Sequence, residues 1–260
     1  MNKLNNLLTN SDGIRLYTSK WLNEHGYYKQ LVKRYCDNGW LSSIGHGAYT
    51  KLNEKVSWLD AVNALQDQLN LDIHVGGLTS LGIYGVTQYV TLSDPNPTFY
   101  LYNTYFSKVN LPKWFQNNFA NCHMEQKKLF DSDAALSKKE ISGVTITTSS
   151  PERAILEVLS LVPNKISLSH AFELMEMLHR LRLDVVQDLL NKCTSIKVKR
   201  LFLYLSEECN HPYFHEINLI SINLGLGKRV IVPGGEYHKK WKISLPKVNE
   251  QNDLDEKFHE

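Results

Sequence analysis

A chain of 260 residues, 42% hydrophobic and 22% charged, holds enough apolar material for a substantial core and has room for two domains. No apolar run approaches the ~18 residues of a membrane span, and the opening MNKLNNLLTNSDG is too polar for a secretory signal, so a cytoplasmic location away from membranes is expected. The net charge of +2 divides unevenly: +4 over residues 1–55, −3 over 56–194, +5 over 195–247 and −4 over 248–260.

The first predicted helix carries Leu4, Leu7 and Leu8 on one stripe. Thr18 or Ser19 can cap a second, short helix with Trp21 and Leu22, and Gly26 then breaks the chain. From Tyr28 the sequence YKQLVKRYCDNGWLSSIGHGAYT predicts a basic helix, a glycine stop and a glycine-tipped hairpin. Tyr28, Leu31, Val32 and Tyr35 fall at i, i+3, i+4 and i+7, an apolar stripe at helical period. Lys29, Gln30, Lys33 and Arg34 fall opposite, with no acid before Asp37. Gln and Arg are suited to bidentate reading of adenine and guanine edges. Gly39 supplies a left-handed C-terminal stop, Trp40, Leu41 and Ile44 make a strand, Gly45-His46-Gly47 turns it, and Ala48-Tyr49 begins the return. Taken alone, the helix reads equally well as a solvated surface helix, and His46 as either a DNA contact or an exposed turn residue. The succession of elements favours a winged helix–turn–helix, with one helix in the DNA major groove and a hairpin beside it.

Further along, Trp58, Leu59, Val62, Leu65 and Leu69 predict an amphipathic helix over 58–71. HVGGLTSLGIYGV resembles a phosphate loop only superficially, since no Lys follows Gly82 or Gly85. Thr79 and Ser80 are better read as opening a helix. Strands are predicted over 89–92, 98–102 and 144–148, and the stretch 114–130 is ambiguous. Ser150-Pro151-Glu152 is a helix start with a Ser cap, Pro at the first position and an acid in the first turn. Helices follow over 154–161, 169–181 and 185–192. KVKRLFLYLSEEC is a helix whose Lys197, Lys199 and Arg200 cluster at its start, where cations oppose the helix dipole. That misplacement reads either as a phosphate-facing patch or as lysines splayed into solvent. GKRVIVPGGEYHKKWKISLP predicts two strands joined by a Pro-Gly-Gly turn, with Lys228, Arg229, Lys239 and Lys240 near its ends. Residues 248–260 read as an acidic, disordered tail, with competition against DNA for the basic surface as the lesser alternative.

Chemistry-bearing motifs are sparse. Cys36, Cys122, Cys193 and Cys209 lie far apart without C-x-x-C pairing and read as reduced thiols. Glu125-Gln126-Lys127 is an E-x-K of the kind found in metal-dependent nucleases, but it lacks a convincing upstream Asp on a strand. His211 and His215 are interrupted by Pro212. No catalytic residue, metal site or cofactor is assigned, and an enzyme is not expected.

Five stretches in order, GWLSSIGHGAY (39–49), HVGGLTSLGIYG (74–85), SPERAIL (150–156), KVKRLFLYL (197–205) and LGKRVIV (226–232) with the closing KISLP, resemble the AbiEi family of antitoxins. These are transcriptional regulators of type IV toxin–antitoxin and abortive-infection phage-defence systems. The resemblance implies an α+β protein: an N-terminal winged helix–turn–helix (1–55), then a larger mixed α/β antitoxin domain (56–247). It implies binding to inverted repeats in the protein's own promoter, repression of its operon, and suppression of a nucleotidyltransferase-like toxin without need for a stable complex. A homodimer, or two monomers that meet only on the duplex, would suit such repeats. Carried onto this chain, it makes Lys29, Gln30, Lys33, Arg34 and His46 DNA contacts, and Lys197, Lys199, Arg200, Lys228 and Arg229 a second basic surface. The rival readings are a ligand-sensing winged-helix regulator without antitoxin activity, which calls for a large apolar pocket, and an interaction module that meets an acidic protein.

Overall fold

The computed structural model describes residues 3–9, 13–87, 97–126 and 129–246. The strand expected at 89–92, Lys127 of the E-x-K and the acidic tail lie outside the described residues.

The chain opens with α1 (Lys3–Thr9), β1 (Leu16–Thr18), α2 (Ser19–Glu24), α3 (Lys29–Asp37), β2 (Leu41–Gly45) and β3 (Ala48–Lys51). Thr18 is the cap of α2, its hydroxyl accepting from the Trp21 N–H at 3.2 Å. Gly26 (φ +81°) and Gly39 (φ +72°) bracket α3 in left-handed conformations that a side chain would resist. The strands form an antiparallel sheet in the order β1-β3-β2, which is the element order of a winged helix–turn–helix. Leu7, Tyr17, Leu22, Leu31, Val32, Tyr35 and Leu41 form its core. Tyr28 departs from the expected stripe and is 53% exposed. It is the helix cap, in extended conformation (φ −69°, ψ 160°), so its side chain leaves the helix face, and Tyr27 enters the core instead.

Next, α4 (Trp58–Asn63) begins on a capping box between Ser57 and Asp60 and runs into a π-helical turn, Ala64–Gln68, which the sequence read as continuous α-helix. A mixed five-stranded sheet is built from β4 (Ile73–Val75), β5 (Phe99–Asn103), β6 (Cys122–Glu125), β7 (Leu136–Ile141) and β8 (Val144–Ser149). Its order is β6-β5-β4-β8-β7, with β4–β8 and β5–β6 parallel. Between these strands lie α5 (Gly77–Ile83) and α6 (Lys113–Asn118). Helix α5 starts two residues earlier than expected, so Thr79 and Ser80 are interior and fully buried rather than caps.

The helical layer comprises α7 (Pro151–Leu159), α8 (Leu168–Glu176), α9 (Leu183–Lys192) and α10 (Ile196–Glu208). A small sheet follows, made of β9 (Arg229–Val230), β10 (Glu236–His238) and β11 (Ile243–Leu245). The expected Pro-Gly-Gly hairpin does not form. β9 and β10 flank β11 on opposite sides, β9 parallel and β10 antiparallel to it. Gly235 is needed for close approach: a Cβ there would sit 2.0 Å from the Leu245 carbonyl oxygen.

Helix α7 is buried from Glu152 to Leu159, so its three charged residues need internal partners. Glu157 Oε1 accepts from His74 Nε2 at 2.7 Å and from Arg153 Nε at 3.0 Å. Its Oε2 accepts from the Gly77 N–H and the Ser149 hydroxyl, both at 3.0 Å. Arg153 also donates to the Ser132 and Ala134 carbonyls. Burial pushes the His74 imidazole below its ordinary value. Burial alone would raise the Glu157 carboxyl, but His74, Arg153 and the Gly77 N–H outweigh it and hold it down. The HVGG and SPERAIL stretches thus meet in one buried network. A Cβ on Gly76 would lie 2.3 Å from Glu157 Oε2. Ser150 occupies the cap position of α7, but its hydroxyl donates to Glu152 rather than capping the backbone.

Candidate nucleic-acid interface

Helix α3 buries Leu31, Val32 and Tyr35, which turns Lys29, Gln30, Lys33 and Arg34 outward, and all four are exposed. Lys29 and Lys33 stack one turn apart, as do Gln30 and Arg34, giving two adjacent rows of donors. None of the three cations enters an ion pair among the described residues. Arg34 sits in the last turn, where the helix dipole favours a cation.

Strand β2 runs back from the end of α3, so the hairpin tip returns to the helix start. Exposed His46 is there, on a turn closed by Gly45 (φ +151°) and Gly47 (φ +84°). The Gly47 carbonyl accepts from the Ser19 N–H at 2.9 Å, which ties the tip to α2. An open cleft of about 440 Å³ between these elements is lined by Lys29, His46, Ser19, Lys20 and Asn23. The structure therefore brings Lys29 and His46 together. It also adds Lys20 and Asn23, which sequence periodicity did not single out because α2 is only six residues long.

The sheet beneath α3 is held on both faces. Tyr17 and Leu41 face the helices, while Leu16 and Ala48 belong to the core around Trp58, Phe99 and Phe115. The outer edge of β1 is closed by the side chain of Gln68, whose Oε1 accepts from the Thr18 N–H at 2.8 Å and whose Nε2 donates to the Leu16 carbonyl at 2.7 Å. At the opposite edge, Asn118 Nδ2 donates to the Ile44 carbonyl at 2.8 Å. A Cβ on Gly45 would lie 2.8 Å from that of Trp114.

The second basic surface does not exist as expected. Lys199 is 3% and Arg200 2% exposed. The Arg200 guanidinium donates to the carbonyls of Leu224 (2.8 Å), Gly225 (2.9 Å), Gly227 (2.7 Å) and Lys242 (3.0 Å). The Lys242 carbonyl also accepts from the Arg229 N–H at 2.9 Å, while those of Leu224, Gly225 and Gly227 lie in a loop outside the sheet ladder, so the buried cation gathers acceptors that regular secondary structure leaves over. Lys197 is half-buried and donates to the Val162 carbonyl. Lys228 is exposed, 5.3 Å above the Tyr237 ring, and Arg229 is half-buried.

Other motifs resolve into structural roles. Glu125 pairs with Lys165, and His211 is buried with Nε2 2.7 Å from the Met175 carbonyl. The four cysteines are free thiols. Among the described residues no group of three or more His, Cys, Asp or Glu is arranged to hold a metal ion, and no helix is long and apolar enough to cross a membrane. An open cleft of about 760 Å³ mixes Leu136, Pro151 and Val185 with Arg180, Asp184 and the Glu152–Arg182 ion pair.

Comparisons with known proteins agree with this architecture. One solved structure, the RV2827C protein from Mycobacterium tuberculosis, superposes over 98% of this chain and 96% of its own, with a TM-score of 0.55 at 11% identity, a likeness of fold alone. No curated protein sequence matches significantly. A family profile described as "Transcriptional regulator, AbiEi antitoxin N-terminal domain" matches residues 1–92, and one described as "Transcriptional regulator, AbiEi antitoxin, Type IV TA system" matches residues 100–246. The first profile contains β4 and the second begins within β5, so the five-stranded sheet draws strands from both. The chain belongs to the AbiEi antitoxin family of transcriptional regulators of type IV toxin–antitoxin systems.

Proposed function

We propose that the protein is a sequence-specific DNA-binding antitoxin that represses its own operon from inverted repeats in its promoter. In this reading α3 lies in the major groove: Gln30 and Arg34 read base edges, and Lys29 and Lys33 meet phosphates. His46 touches the backbone at the hairpin tip. Two copies occupy one operator, as a dimer or as neighbours on the duplex. The C-terminal part, with exposed Lys228 and half-buried Arg229 among its surface cations, counteracts a nucleotidyltransferase-like toxin in the cytoplasm without forming a stable complex. The division is 1–55 for DNA and 56–247 for the toxin. The observation that carries the DNA half is the outward double row on α3, free of paired acids, beside a hairpin held in place from both sides.

The test is a mobility shift with the gene's own upstream region against random duplex at several salt concentrations. Arg34→Ala or Gln30→Ala is expected to cost about 1–3 kcal/mol and relax preference at one base pair, whereas Lys29→Ala weakens all sequences alike. Equal affinity for native and random DNA rejects the reading. Toxin suppression is measured in co-expressing cells with the same point variants, which are expected to lose repression and retain suppression. Deleting residues 1–55 is a poor substitute, because Leu16 and Ala48 are part of the larger core.

A further inference from the structure

We infer that the DNA-contacting surface extends past the hairpin onto α6 and the loop before it, with Lys108 and Lys113 meeting phosphates that flank the sequence read by α3. The inference rests on the reading of α3 proposed above. Helix α6 is seated directly on the hairpin: Trp114 packs against Gly45 at the tip, and Asn118 bonds to the Ile44 carbonyl. Helix α6 buries Trp114 and Phe115 and turns the amide of exposed Asn118 to the hairpin, while Lys113 and Asn117 are exposed, Lys113 one residue from the contact with the tip. Lys108 and Asn110 are exposed on the preceding loop.

The composition of this neighbourhood supplies a second, independent argument. The chain has 27 acidic residues, yet none falls between Pro95 and Met124, and none between Asn38 and Asn53 on the hairpin. Two segments distant in sequence that meet where α6 packs on the hairpin are therefore both free of carboxylates of their own, and the acid that reaches the loop from outside, Asp131, accepts from the Phe106 N–H at 3.0 Å. One of them is rich in Asn and carries Lys108 and Lys113, side chains that bond phosphate oxygens. A surface that only needed to be soluble would gain from mixing charge signs. A surface that lies along a polyanion gains affinity from keeping carboxylates few.

The experiment compares the full chain with Lys108→Ala/Lys113→Ala and with Lys33→Ala/Arg34→Ala. The probes are a duplex of about 40 bp from the gene's own upstream region and the same duplex trimmed by about half a helical turn at each end of the footprint. One phosphate contact adds about 0.9 to the salt slope, so between 50 and 200 mM salt each is worth about 3.5-fold in affinity. Removing both lysines is expected to shrink the fall in affinity over that range by about twelvefold on the long duplex. On the trimmed duplex it is expected to change nothing. Both lysines are exposed, and an unchanged unfolding midpoint establishes that the variant is folded. If Lys33→Ala/Arg34→Ala abolishes binding while Lys108→Ala/Lys113→Ala matches the parent on both probes, the extension is wrong and the reading of α3 stands. If neither pair alters binding, the α3 reading falls and the extension falls with it.

Discussion

Replacing Arg200 by methionine keeps much of the aliphatic stem and deletes the guanidinium. Four carbonyls then lose a charged donor, those of Leu224, Gly225, Gly227 and Lys242. A hydrogen bond to a charged group contributes roughly 1.5–3 kcal/mol, but Gly227 is exposed, and water can replace the donor there. The expected net cost is about 3–5 kcal/mol, in the range of a broken buried charge network. At ~2.1 cal/mol/K per residue, unfolding entropy for a chain of this length is near 0.55 kcal/mol/K, so ~4 kcal/mol lowers the midpoint by about 7 °C. Thermal unfolding followed by circular dichroism measures it. Arg200→Lys is expected to lose nearly as much, since one ammonium cannot span four carbonyls. Lys228→Ala, on the exposed face, is expected to stay within about 0.5 kcal/mol of the parent. A methionine variant melting within ~2 °C of the parent would refute the assignment of Arg200 to the scaffold and restore it as a candidate for contact with a partner.

Three further outcomes follow from the same coordinates. Glu157→Gln leaves Arg153 without its counter-ion, and an amide oxygen cannot accept from all four donors, so a loss of about 3–5 kcal/mol in urea unfolding is expected; a loss under ~1 kcal/mol would contradict the network. Glu152 titrates at about 2, because hydrogen bonds from Arg182 and Ser150 outweigh the upward push of burial. A carboxyl depressed in the folded state stabilises fully above its unfolded value and loses that contribution as pH falls through the folded one. The Glu152 contribution should therefore vanish between about pH 4.5 and pH 2, and Glu152→Gln should flatten the urea midpoint over that window. Gly45→Ala forces a Cβ against Trp114, so the hairpin or α6 must shift; DNA affinity is expected to fall more than stability, read by mobility shift beside thermal unfolding.

The N-terminal half is legible in the sequence because its information is local. The period of Leu31, Val32 and Tyr35 sets one face of α3, and Gly26 and Gly39 mark its ends. Strand β1 was not legible: three residues show no alternation, and their partner β3 lies about thirty residues on. Tyr28 misled because i, i+7 spacing cannot tell a cap from a first turn. The fate of Lys199 and Arg200 depended on where residues 224–242 would fold, which helix periodicity does not encode. The same non-locality explains β9 and β10, whose common partner β11 comes last in the chain. The AbiEi motifs mark buried joints of the fold: His74, Gly76, Arg153 and Arg200 all serve the interior.

Gln68 stands in for a missing fourth strand, and on the far edge Asn118 does similar work. If α3 reads DNA as proposed, a module clamped at both margins cannot swivel on a tether to accommodate a poorly spaced pair of half-sites. Each inserted base pair turns the second half-site by roughly 35° about the duplex axis. For two copies that touch, a rigid mount would convert that rotation directly into lost contact, so operator spacing becomes a criterion of choice alongside operator sequence.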